Sequence, residues 1–105
     1  MLEKDVEAEL VKLCKGASVK LGVEVLCLKF TSPQRRNVPD RIVIFPPGLV
    51  TFIELKAPGG KLTEGQHREH QRLRALKCSV IVLDSVKSVR EWVKQETFNA
   101  EDDLT

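Results

Sequence analysis

Apolar residues recur along this chain with two different periods, and the switches between them divide it into elements. From residue 3 to 21, Val6, Leu10, Leu13, Cys14, Ala17 and Leu21 fall on one stripe at three- and four-residue spacing, which predicts an amphipathic helix. Gly22 ends that pattern, and Val23–Phe30 reads as a first strand. Residues 31–38 (Thr-Ser-Pro-Gln-Arg-Arg-Asn-Val) form a polar, basic loop. Next comes a hairpin: Arg41-Ile42-Val43-Ile44-Phe45, a Pro46-Pro47-Gly48 turn, then Val50-Thr51-Phe52-Ile53. Ala57-Pro58-Gly59-Gly60 breaks the chain, and Thr63-Glu64-Gly65-Gln66 has the capping-box form that opens a helix. That second helix runs to about Lys77, with Leu73 and Leu76 on its inner face. Ser79–Asp84 is a buried strand reached by a crossover, so it should lie parallel to the strand of Phe52. Ser85 caps a last helix with Val86, Val89, Trp92 and Val93 turned inward. The predicted order is α-β-β-β-α-β-α, an α/β domain whose four-stranded mixed sheet is flanked by helices on both faces.

The hairpin has a chemical consequence. Facing residues of an antiparallel pair have a constant sum, and this turn sets it at about 95, so Asp40 faces Glu54 or Leu55. Two carboxylates distant in sequence are thereby brought to one end of a sheet. Side-chain alternation sends Glu54 and Lys56 to one face and Leu55 to the other. Two acids and a lysine converging at a strand end suit a divalent-metal site with a cation beside it. Charges on a solvated edge are the plain alternative. Against it, the strands are apolar on both faces: Ile42, Ile44 and Phe52 on one, Val43, Phe45, Ile53 and Leu55 on the other. Strands of that kind are normally covered, and charges at their ends then need partners.

Both flanking helices aim polar residues at the same place. At 100° per residue, the apolar stripe of the first helix lies about 35° from Glu3, about 75° from Glu7 and about 85° from Glu9. Glu3 thus continues the buried stripe as a carboxylate, although an acid at a helix start is also favoured by the macrodipole. The inner stripe of the second helix continues toward its N-terminus as His70 and Gln66. Gln66 is placed close to the carboxylates, and it is also the capping partner of Thr63. His70 either packs on the sheet or lines a cleft; no neighbouring cysteine supports a zinc site.

Composition narrows the setting. The 105 residues make one domain, 42% hydrophobic and 30% charged, within the range of soluble globular proteins. No segment is long enough to span a bilayer, and the N-terminus is too acidic and amphipathic for a signal peptide. Cys14, Cys27 and Cys78 are separate and apolar in context, reading as buried thiols of a reducing cytoplasm. The net charge of +2 conceals an asymmetry, because residues 95–105 hold Glu96, Glu101, Asp102 and Asp103 and no base. Without those four, 11 acidic residues stand against 17 basic ones, and the body of the chain carries +6. That is enough to favour a polyanionic partner. The chain therefore divides into a domain over 1–94 and an acidic tail over 95–105 that is expected to fray.

Glu3, Pro39-Asp40, Glu54-Leu55-Lys56 and Gln66, in that order on this frame, resemble the PD-(D/E)XK nuclease superfamily. More narrowly, they resemble its virus-type replication-repair branch, the VRR-NUC domain. The stretches 28–33 (Leu-Lys-Phe-Thr-Ser-Pro), 36–41 (Arg-Asn-Val-Pro-Asp-Arg) and 52–59 (Phe-Ile-Glu-Leu-Lys-Ala-Pro-Gly) are similar to small stand-alone members from phages and prophages. The resemblance covers residues 1 to about 94. It implies that Asp40 and Glu54 bind metal, that Leu55 offers its backbone carbonyl, and that Lys56 positions or activates the attacking water. It also implies that Glu3 completes the acidic cluster and Gln66 supports it. A bacterial or phage-infected cytoplasm, a homodimer and branched DNA, including four-way (Holliday) junctions, are further implications.

The chemistry is consistent with that resemblance. Hydrolysis of a phosphodiester requires a neutralised phosphate, an activated water and a stabilised leaving oxygen. Carboxylates such as Asp40, Glu54 and Glu3 suit Mg²⁺ or Mn²⁺, and Lys56 adds a positive charge near the attacking oxygen. Lys29, Arg35, Arg36, Arg41 and Lys61 are expected to grip phosphates without reading sequence. The shortage of aromatics argues against a base-stacking platform. A non-catalytic DNA-binding module, or a nuclease acting on linear or flapped DNA, would use the same basic surface. The first of these leaves the gathered acids without a purpose.

Overall fold

In the computed structural model, which describes residues 1–104, the elements follow the predicted order. They are α1 (Glu3–Leu21), β1 (Leu26–Lys29), β2 (Arg41–Phe45), β3 (Leu49–Leu55), α2 (Glu64–Ala75), β4 (Ser79–Leu83) and α3 (Val86–Leu104). The sheet runs β1-β2-β3-β4, antiparallel through the first three strands and parallel between β3 and β4. The short path through the Pro46-Pro47-Gly48 turn makes β2 and β3 antiparallel neighbours. The long crossover through α2 returns the chain in the direction of β3.

One face of the sheet carries the core. Val43, Phe45, Ile53, Leu55 and Leu83 pack there against Val6, Leu10, Cys14 and Ala17 of α1 and Val89, Val93 and Ala100 of α3. Trp92 joins this cluster edge-on to Phe45, with centroids 5.8 Å apart and planes at 87°. Gly22 closes α1 at φ 69°, a left-handed conformation that glycine adopts without a Cβ penalty, and donates its N–H to the carbonyl of Ser18.

Helices lie on both faces as expected, but among the described residues α2 alone lies on the second face, over the β4 side, so that face is only partly covered; Leu28 of β1 is 44% exposed and Val50 of β3 43%. The inner surface of α2 is polar, its buried residues being Glu69 and His70, whereas Leu76 is 73% exposed. Helical phase alone puts Leu76 inward, but it falls at the C-cap, where the chain leaves the sheet. The expected frayed tail is the final stretch of α3 instead. Thr97 and Ala100 continue the spacing of Val89 and Val93, are buried, and keep the helix intact to Leu104.

Candidate active site

The hairpin register pairs Arg41 with Ile53, so one step further along Asp40 stands opposite Glu54. Asp40 is tied at both sides: its carbonyl accepts the N–H of Phe30 at 3.0 Å, and its Oδ2 accepts the N–H of Leu55 at 2.7 Å. Pro39, fully buried, fixes the approach to it. Alternation along β3 turns Leu55 into the core and Glu54 to the α2 face, where Glu54 is 1% exposed. Lys56 follows immediately, its N–H bonded to the carbonyl of Leu83 at 3.1 Å.

Two side chains of α2 reach Glu54. His70 Nε2 lies 3.0 Å from Oε1, and Gln66 Nε2 donates to Oε2 at 3.3 Å. Both expected roles of Gln66 coexist, because its Oε1 accepts the Thr63 N–H at 3.0 Å while its backbone N–H reaches Thr63 Oγ1 at 3.1 Å. Burial raises the proton affinity of Glu54 most, a hydrogen bond and repulsion from Asp40 add to it, and Glu3 adds a smaller push. Against the pull of Lys56, the pKa of Glu54 is pushed up to about 8. Burial most, then Arg74, His67 and Lys56, push the pKa of His70 down against the opposing pull of Asp40.

A cleft of about 240 Å³ opens beside these groups, lined by Glu3, Glu7, Lys29, Phe30, Thr31, Asp40 and Leu55. Glu3 and Glu7 enter it from successive turns of α1. Glu7 is engaged with Arg41 Nε at 3.0 Å, while Glu3 is exposed. The oxygen donors match a hard dication in kind, and the pKa of Glu54 is raised first by burial and then by the neighbouring Asp40. Among the described residues, no group of three or more His, Cys, Asp or Glu side chains is drawn together closely enough to hold an ion. Asp40 has committed one oxygen to Leu55 and Glu54 both of its own to α2, so the acids adjoin without closing a shell.

The five expected phosphate grips have different surroundings. Lys29 lines the cleft, and Arg36 and Lys61 are exposed. Arg41 also donates to the carbonyl of Cys27 at 3.3 Å. Arg35 makes a two-pronged pair with Glu69, Nε to Oε2 and Nη2 to Oε1 at 2.9 Å each. The apolar pattern gives no warning of Glu69; its signal is its position between Gln66 and His70 on the inward stripe of α2. Its bond to Arg35 pins the 31–38 loop to that helix, where the amide of Asn37 fills the space beside Gly65 that a Cβ would need.

A solved structure described as "VRR_NUC domain" superposes with a TM-score of 0.69 and 32% identity, over 85% of this chain and 95% of that one. The chain belongs to the VRR_NUC domain family. A relative from Acyrthosiphon pisum secondary endosymbiont phage 1, named "Putative nuclease p44", is 58% identical over 60 residues. That match takes in 57% of this chain and 64% of the phage protein, just under two thirds of its length. No family model matches the sequence. Among the described residues no helix is long and apolar enough to cross a membrane.

Proposed function

We propose that this protein is a Mg²⁺- or Mn²⁺-dependent DNA endonuclease that hydrolyses phosphodiester bonds at the Asp40–Glu54–Lys56 end of the hairpin. The observation that carries the reading is Glu54: a buried carboxylate beside Asp40, with its pKa pushed up to about 8. A group that holds its proton so firmly is costly to ionise alone and is relieved by a divalent cation. Asp40, Glu54 and the carbonyl of Leu55 would hold that cation, with Glu3 swinging in from α1 across the shared cleft. When bound, the ion supplies Lewis-acid polarisation of the phosphate and lowers the pKa of water.

The remaining chemistry belongs to the chain. Gln66 steadies Oε2 of Glu54. Lys56, near enough to pull the pKa of Glu54 downward, places a positive charge where the attacking oxygen and the crowded phosphate develop negative charge. Lys29 in the cleft and exposed Arg36 and Lys61 hold neighbouring phosphates. Arg35 and Arg41 act beside them through the loop and strand they brace.

Symmetric cutting of a junction needs two such sites, and one chain holds one, so the active form is a homodimer acting on branched DNA in a bacterial or phage-infected cytoplasm. Trp92 packs in the core, and the half-covered β1 side of the sheet is one apolar surface open to a second copy. Linear, flapped and four-way DNA of equal length, incubated with Mg²⁺ and with Mn²⁺, test the substrate. Fastest cutting of the four-way form, with paired nicks, is expected. Equal cutting of linear DNA refutes the branched preference. Binding with no cleavage of any form favours a non-catalytic module.

A further inference from the structure

We propose that His70 is a positioning residue that fixes Glu54 in the orientation required to take up a divalent cation. The inference rests on the metal-site reading of Glu54 and extends it to a residue outside the motif. His70 is 0% exposed, in the middle of α2, and among the described residues its imidazole makes one hydrogen bond, between Nε2 and Oε1 of Glu54 at 3.0 Å. Its Nδ1 is buried with no hydrogen-bond partner among the described residues. A side chain needed only to fill space there would be better apolar, since an unsatisfied buried nitrogen is unfavourable. What the imidazole provides in return is a directed bond that immobilises one oxygen of one carboxylate. Glu54 is then held by α2 as well as by Asp40, and Oε2, shared with Gln66 at 3.3 Å, is the oxygen presented to a cation. Second-layer donors of this kind orient ligands and set affinity.

With a cation bound, Glu54 is ionised and only accepts, so the ring nitrogen that faces it, Nε2, then carries the proton. Mn²⁺ binding to the metal-free protein by titration calorimetry, without DNA, is the test, with His70→Leu, His70→Gln and Glu54→Gln compared and folding checked by circular dichroism. His70→Leu is expected to weaken Mn²⁺ binding by about ten- to a hundredfold, while His70→Gln, which keeps an N–H at similar reach, stays within about threefold of the parent. Parental affinity in His70→Leu overturns the proposal, as does a folded His70→Gln as weak as His70→Leu. Nitrogen-15 spectra of the Mg²⁺-loaded parent need no substitution: a proton on Nε2 agrees, and a proton on Nδ1 overturns the assignment. Parental Mn²⁺ affinity in Glu54→Gln marks failure of the metal site itself, and is thereby distinct from failure of the His70 role.

Discussion

Oδ2 of Asp40 accepts the backbone N–H of Leu55 at 2.7 Å, across the end of a hairpin whose turn lies several residues away. This bond fixes the carboxylate of one strand to the backbone of the next and leaves its second oxygen for other work. The register of β2 and β3 is thus read directly into the chemistry of the site, because a one-residue slip would turn Glu54 into the core.

Glu54 should weaken the metal-free protein in a pH-dependent way. Its folded pKa, about 8, lies above the ordinary carboxylate value, so its stabilising contribution is complete at low pH. As pH rises past the unfolded value toward about 8, the unfolded chain ionises freely while the folded one keeps its proton, and stability falls. Glu54→Gln lacks this loss. In EDTA, the melting temperature of Glu54→Gln relative to the parent should increase from pH 5 to pH 8; a constant difference would contradict the assignment.

Glu3 and Glu7 should separate activity from stability. Glu7 is held by Arg41 at 3.0 Å in a partly buried pair, so Glu7→Gln is expected to cost roughly 1–2 kcal/mol in chemical denaturation. Glu3 is exposed, and Glu3→Gln should leave stability near the parental value while reducing cleavage more than Glu7→Gln does. The reverse ranking in cleavage would place the wrong glutamate in the site.

Two adjacent arginines should also differ. Arg36 is exposed, and Arg36→Ala should lower the slope of log affinity against log salt by about 0.9 for each phosphate that Arg36 neutralises, on any DNA sequence. An unchanged slope would remove Arg36 from the DNA interface. Arg35 is paired to Glu69 through two bonds. Arg35→Ala and Glu69→Gln should both speed amide hydrogen exchange across residues 31–38. Unchanged exchange in both would show that the pair does not pin the loop.

The end of α3 should matter to folding. Removing residues 96–105 takes away buried Thr97 and Ala100, and a loss of roughly 1–2 kcal/mol is expected in denaturant unfolding. An unchanged midpoint would restore the view of this segment as a loose tail.

Element order and strand pairing were legible because they follow from short-range patterns: the hairpin turn, the capping box at Thr63, and the stripe from Val6 to Leu21. The convergence of Asp40 and Glu54 was legible for the same reason, since hairpin register is arithmetic. The surroundings of the acids and arginines were not. Nothing local in Arg35-Arg36 says that one meets Glu69 across 34 residues while its neighbour faces solvent. The polar inner face of α2 was hidden because periodicity looks for apolar residues, and Glu69 and His70 are buried by the partners they find. Residues 96–100 read as a tail because acids dominate their composition, although Thr97 and Ala100 keep the inward phase of α3.

Cleavage of a four-way junction by the parent and by folded Asp40→Asn, each with Mg²⁺, Mn²⁺ or excess EDTA, tests the central claim most directly. The expected result is cutting by the parent with either cation, none in EDTA, and a loss of at least about a thousandfold in Asp40→Asn. Cutting that persists in EDTA, or near-parental activity in Asp40→Asn, would contradict a metal-dependent site built on Asp40 and Glu54.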